Sequence, residues 1–372
     1  MKIGILTLTL HTNYGGILQA YALQTVLEKM GHEVEVLNRP FTPLKTKWKE
    51  IPKRIVKKLL GRDLVIFSEK QYNREAPIIN KVVWNFRKKY IHERIINSLH
   101  EIKEGDYDCI VVGSDQVWRP RYFKSQWNIG IADAFLAFTK GWNIKRIAYA
   151  VSYGVDTWEY TKEENVLCKD VIKQFDFLSV REESGIMLTR EHFDVKAIQL
   201  VDPTLLLGKD DYIKLFNKKD TPQSGGSLLV YFLDANHDKN KLVNQISKEK
   251  GLIPFSINRT AVKRTAPINK RILPSVESWL RGFYDAEFVV TDSFHACVFS
   301  IIFGKPFVVV GNKERGMTRF QSLLKMFSLE QNLISSIEEY TPGCSYQIHE
   351  DARKQLEEYK DKSLAFLKES LA

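Results

Sequence analysis

His295 stands in the run VVTDSFHACVFSIIFG, where a β-branched apolar strand gives way to an apolar helix. A histidine in the first helical turn, at the carboxyl end of a strand, can act as general acid or base, or meet an anion beside the helix terminus. Asp292 and Ser293 are placed to cap that helix. Isolated histidines are more often structural than catalytic, and here it is the strand-end position that favours function. Five other predicted strands also end in small, polar or ionisable residues: Asn13-Tyr-Gly15-Gly16, Gly113-Ser114-Asp115-Gln116, Ser152-Tyr-Gly154, Arg181-Glu-Glu-Ser-Gly185 and Asp202-Pro-Thr204. Parallel sheets bind ligands at the carboxyl ends of their strands, so such a succession points to a shared site rather than generic turns.

Each element also has a plainer reading. Gly15 and Gly16 let a ligand approach the backbone at a helix N-terminus, or simply make a tight turn; no complete dinucleotide or Walker pattern is present. Asp115 can take a proton from a sugar hydroxyl with Gln116 as a neutral partner, or Ser114 and Asp115 can cap the next helix. Arg181 can clamp a phosphate or carboxylate through two parallel hydrogen bonds, or pair with Glu182, Glu183 or another acid.

Positioning these residues requires a layered α/β scaffold. Short apolar runs alternate with helical patterns: strands at 3–10, 33–37, 109–112, 146–150, 177–180 and 197–201, then 228–233, 252–257, 287–291 and 306–310. The helix predicted at 17–30 completes a first βαβ unit. The polar stretch 205–227, containing TPQSGG, is the best boundary. We therefore expect α/β architecture with two Rossmann-like domains, 1–215 and 225–350, followed by a terminal helix at 351–372. A charged helical excursion at about 40–104 belongs to the first domain.

The chain of 372 residues is long enough for two such cores, and its net charge of +10 suits an anionic partner. Its four cysteines form no close pair, as expected of buried thiols in a reducing compartment, and the histidines form no metal pattern. MKIGILTLTL runs into HTNYGG without a small-residue cleavage site and reads as a first strand. No segment approaches the roughly 18–20 apolar residues of a bilayer span. A cytoplasmic protein is expected, peripheral at most to the inner membrane face. Lys45, Lys47, Lys49, Lys53, Arg54, Lys57, Lys58 and Arg62 surround Trp48, Ile51, Ile55, Val56, Leu59 and Leu60. That stretch suits adsorption to anionic lipid, or a solvated helix packed on its own domain. It lacks the stacking platform expected for nucleic acid.

NYGGILQAYALQ, GSDQVW, the SYG loop, SVREESG, VDPTLLL and TDSFHACVFSIIFGKPFVVV resemble, in that order, the polysaccharide pyruvyl transferase family. The resemblance runs from about residue 3 to about residue 325. It implies a GT-B-like pair of Rossmann domains with the active site between them, and transfer of pyruvate from phosphoenolpyruvate to two sugar hydroxyls as a cyclic ketal. The acceptor would be a glycan, free or lipid-linked, of an exopolysaccharide or capsule. By motif, the family's histidine falls on His295 and its arginine on Arg181. The arginine that better-known members carry two positions before the histidine is replaced by Ser293, in Ser293-Phe294-His295. Arg319 is the candidate substitute cation, with Arg315 and Lys305 behind it.

The strand-end reading and the resemblance together give His295, Asp115 and Arg181 as candidate catalytic residues, with Asn13, Gly15, Gly16, Ser114, Gln116, Ser152, Asp292, Ser293 and Arg319 expected to bind substrate. No metal and no cofactor beyond the donor substrate is expected. Two other functions suit the same scaffold: a glycosyltransferase using a nucleotide sugar, and a non-catalytic glycan-assembly protein.

Overall fold

The computed structural model describes residues 1–311 and 317–372. Two parallel sheets form the scaffold. The first joins β1 (Lys2–Leu6), β2 (Glu33–Asn38), β3 (Glu93–Ile95), β4 (Cys109–Val112), β5 (Lys145–Val151), β6 (Phe177–Val180) and β7 (Ile198–Gln199) in the order β3-β2-β1-β4-β5-β6-β7. The second joins β8 (Leu228–Tyr231), β9 (Pro254–Ser256), β10 (Phe288–Thr291), β11 (Phe307–Val310) and β12 (Leu333–Ile334) in the order β12-β11-β10-β8-β9. Helices cover both faces, so central strands such as CIVV and FVVV are apolar throughout and wholly buried. The fold is therefore α/β with two Rossmann-like sheets. One continuous core links them, running from Ile5 and Val111 to Val289 and Phe307.

In each sheet the chain reverses its direction of travel at one point, between β1 and β4 in the first and between β8 and β10 in the second. Loops diverge there and leave a crevice. Asn13–Gly16 follow β1, Ser114–Gln116 follow β4 and His295 follows β10, so these motifs all stand at the two switch points.

Three sequence-derived boundaries need correction. The excursion is helical at Ile51–Leu59, Ser68–Ile79 and Lys81–Tyr90, but it also returns β3 to the sheet edge. The strand expected over 197–201 shrinks to two residues, because Asp202 and Pro203 turn the chain into a 3₁₀ segment at Pro203–Leu206. The strand expected over 3–10 ends at Leu6. The last helix, Glu350–Ser370, returns to the first sheet. There Phe366 meets Tyr149 and Phe177, and Val201 N–H donates to Ser363 Oγ.

Candidate functional site

The helix Tyr14–Lys29 begins with Asn13 as its N-cap, whose Oδ1 accepts from Gly15 N–H at 3.2 Å. Gly15 matters for space rather than backbone freedom. A Cβ built there would lie 2.0 Å from His295 Nδ1 and 2.1 Å from its Cγ. The imidazole of the second domain therefore rests on the bare backbone of the first. Tyr14 closes the same seam, stacking on Trp279 and donating to the Pro274 carbonyl at 2.7 Å.

His295 lies in the first turn of the helix Phe294–Ile302, apolar all round and buried along nearly its whole length. Its Nε2 lies 3.7 Å from Asp202 Oδ2, beyond hydrogen-bond length and within ion-pair reach of a protonated ring. Asp202 also accepts from Arg181 Nη1 at 2.8 Å and, through Oδ1, from the Thr204 N–H and hydroxyl at 3.0 and 2.7 Å. Burial opposes ionisation of this carboxyl, but His295, Arg181 and Thr204 together hold it well below the ordinary range.

Arg181 is the hub. Its Nε donates to Glu182 Oε1 at 3.0 Å, Nη2 lies 3.7 Å from Asp115 Oδ1, and the guanidinium carbon sits 4.4 Å from the centre of the Phe294 ring. Burial alone would favour discharge, yet Glu182, Asp202 and Asp115 raise its proton affinity above normal. Arg319, in the helix Met317–Met326, reaches the same Phe294 ring at 5.5 Å. Burial, then the like charge of Arg181, push Arg319 down to about 10, so it stays cationic at neutral pH. A narrow cleft is lined by Arg181, Glu182, Asp202, Phe294, Arg319 and Met326. Among the described residues, the buried Arg181 Nη2 and His295 Nε2 make no hydrogen bond. Their nearest carboxylates, Asp115 and Asp202, each stand 3.7 Å away, so both nitrogens keep hydrogen-bonding capacity.

The remaining sequence candidates divide. Asp115 joins the cluster, in a left-handed conformation (φ 58°); it caps no helix, since the next one starts at Pro120 with Arg119 at its N-cap. Ser152 supports the cluster from behind, donating to Glu182 Oε1 at 2.7 Å. Ser114 is structural: its hydroxyl donates to the Ala150 carbonyl and its N–H to Gln19. Gln116 Oε1 accepts from Arg119. A Cβ at Gly16 would meet Asn13 at 3.4 Å and not the imidazole.

Asp292 and Ser293 do not cap the helix of His295. The Asp292 carboxylate takes the N–H groups of Leu233 and Asp234 and, at 2.5 Å, the Lys239 ammonium, while Ser293 makes no side-chain cap bond. The β8–β10 junction thereby uses Asp292 as a latch. Of the reserve cations, Lys305 is excluded by topology. It precedes β11, at the opposite edge of the sheet, and donates to the Tyr284 carbonyl. Arg315 lies outside the described residues.

Asp202, Glu182 and Phe294 belong to this site but were not assigned to it from sequence. Their strand-end positions were visible; the partners that give them a role come from other strands and the other domain.

Residues 13–314 match the profile of the polysaccharide pyruvyl transferase family. A comparison with curated proteins gives no match. Among solved structures, the chain is similar to a UDP-GlcNAc 2-epimerase from Methanocaldococcus jannaschii, with 14% identity over 96% of this chain and 92% of that one and a TM-score of 0.48. It is also similar to a UDP-GlcNAc 2-epimerase from Neisseria meningitidis bound to UDP-GlcNAc, with 11% identity over 98% and 94% and a TM-score of 0.46.

Proposed function

Because the chain belongs to the polysaccharide pyruvyl transferase family, we propose that the cluster of Arg181 and His295 serves the transfer of pyruvate from phosphoenolpyruvate onto two hydroxyls of a glycan precursor as a cyclic ketal. One observation carries this reading: Arg181 Nη2 and His295 Nε2 are both buried and lack a hydrogen bond, in one cluster assembled from both domains. A tri-anionic, oxygen-rich donor satisfies both, and Arg319 adds the second fixed positive charge.

In this mechanism the His295 imidazolium protonates the methylene carbon of the donor, leaving positive character on the carbon that bears phosphate. A first sugar hydroxyl adds there and gives its proton to Asp115. The carbon–oxygen bond to phosphate then breaks, phosphate leaving with the electron pair and receiving the proton from Asp115. The second hydroxyl closes the ring and returns its proton to His295. The Asp202 carboxylate orients the imidazole and balances its charge in the protonated state. Proton transfer and anion binding come from side chains, so this reading needs no metal or redox cofactor. The acceptor is a sugar diol of a surface polysaccharide or its precursor, free or lipid-linked.

Calorimetry with phosphoenolpyruvate, paired with acceptor-dependent phosphate release, tests the reading. Arg319→Lys keeps the charge but loses the planar fork, and should bind the donor roughly tenfold or more weakly. Binding of a uridine nucleotide sugar with none of phosphoenolpyruvate, and no phosphate release, would move the assignment to a glycosyltransferase.

A further inference from the structure

The segment 45–62 takes no part in the cleft. It carries eight lysines and arginines against one acid, Glu50, in a chain whose whole net charge is +10. Its helix, Ile51–Leu59, separates its faces. Ile51, Ile55, Val56 and Leu59 fall on one arc, and Lys53, Arg54, Lys57 and Lys58 on the other. Only Ile51 of the apolar arc is buried. Leu59 is 82% exposed, Leu60 75% and Trp48 66%, beside the exposed Val56. A helix that packs its apolar side on its own domain, the plainer sequence reading, would hide these residues.

The attachment to the body is polar instead. Arg54 makes a two-pronged bond to Glu69 at 2.7 Å for each prong, and the Leu44 N–H and carbonyl are held by Asn73. Lys70 lies over both the Trp48 and Phe67 rings, at 5.4 and 5.2 Å, so these two exposed rings stand together. An anchored helix is thus presented with its apolar side outward and cations flanking it. The segment leaves the carboxyl end of β2, on the sheet edge that carries the cleft loops.

We infer that residues 45–62 dock the protein on an anionic lipid bilayer, with Trp48, Val56, Leu59 and Leu60 entering the interface and the lysines meeting lipid headgroups. Charge complementarity selects this occupant: a protein groove would have to match an apolar ridge and a dense cationic rim at once, whereas a bilayer surface offers both layers. The inference is independent of the donor chemistry.

Flotation of the full chain with vesicles of phosphatidylcholine, with or without about 30% phosphatidylglycerol, tests it. Binding should need the anionic lipid and weaken with salt. Each lysine near such a surface strengthens binding about fivefold, so replacing the exposed Lys49, Lys53 and Lys58 by Gln together should weaken it about a hundredfold. Leu59→Ser with Leu60→Ser should also release the protein while phosphoenolpyruvate binding stays unchanged. Trp48 is the only exposed tryptophan among the described residues, so brominated lipid should quench a signal that Trp48→Phe removes. Equal binding to both vesicle types, no binding to either, or variants that bind like the wild type would overturn the proposal. So would a dimer that the leucine substitutions convert to monomer, since the face would then belong to a second copy.

Discussion

Gly15→Ala separates two physical effects of opposite sign. The substitution lies in the first turn of a helix, at a glycine outside the left-handed region, so alanine is conformationally welcome there. Propensity alone would stabilise the protein by at most about 1 kcal/mol. The added methyl, however, meets His295 Nδ1 at 2.0 Å, Cγ at 2.1 Å and Cβ at 2.7 Å. These atoms sit close to the His295 backbone and cannot swing clear like a chain end. Restoring ordinary contact at ~3.5 Å needs a displacement of roughly 1.5 Å between imidazole and helix. Overpacking on this scale costs about 1–3 kcal/mol, and the upper end applies because backbone must move. The net expectation is destabilisation by about 2 kcal/mol, with turnover reduced about a hundredfold by misplacement of the proposed acid–base ring. Urea unfolding and steady-state phosphate release measure the two. In the background of His295→Ala the penalty should shrink without vanishing, because Cβ at 2.7 Å still remains. A Gly15→Ala protein more stable than wild type and equally active would refute the contact between the domains at this point.

The other predictions concern the charged cluster. His295→Ala should lower turnover by about 10²–10⁴ with an unchanged circular dichroism spectrum, and wild-type turnover would remove the histidine from the mechanism. Arg181→Met should destabilise the fold by about 3–5 kcal/mol, because it strands the buried Glu182 and Asp202 carboxylates; a denaturant midpoint equal to wild type would show that the arginine is dispensable to them. Asp202 titrates below its ordinary 3.8 in the folded state, so its contribution is present above about pH 4 and is lost as the pH falls further. Unfolding free energy between pH 5 and 3 should therefore decline less steeply in Asp202→Asn than in wild type, the difference approaching about 1.4 kcal/mol per pH unit.

Much of the scaffold is legible along the chain. Cys109–Val112 is apolar through its whole length because helices cover both faces, Phe177–Val180 is apolar but for the buried Ser179, and the bounds of both read directly. Glu93–Ile95 and Leu333–Ile334 escape such reading. They are short edge strands, and the first is charged and partly exposed, so neither carries a periodic signal. Site residues divide along a similar line. His295, Arg181 and Asp115 announce themselves because a strand's carboxyl end is a local feature, visible in the order of residue types.

Local sequence also explains why Phe294–Ile302 must be buried, whereas the first helix, expected over 17–30, starts three residues earlier at Tyr14 with Asn13 as its cap. Local sequence does not say that the imidazole of one domain fills the space left by a missing side chain in the other. Nor does it reveal that Asp202 serves Arg181 and His295 at once, or that Asp292 turns away to Lys239. Those assignments depend on pairwise distances between segments as much as 280 residues apart in the chain. Sequence determined the central strands, the apolar faces and the polar residues at the strand ends, since these follow from nearest-neighbour preferences and burial. Tertiary structure decided the rest: strand order within each sheet set which carboxylate meets Arg181 and which meets Lys239, and the packing of one half on the other brought His295 to Asp202 and Gly15.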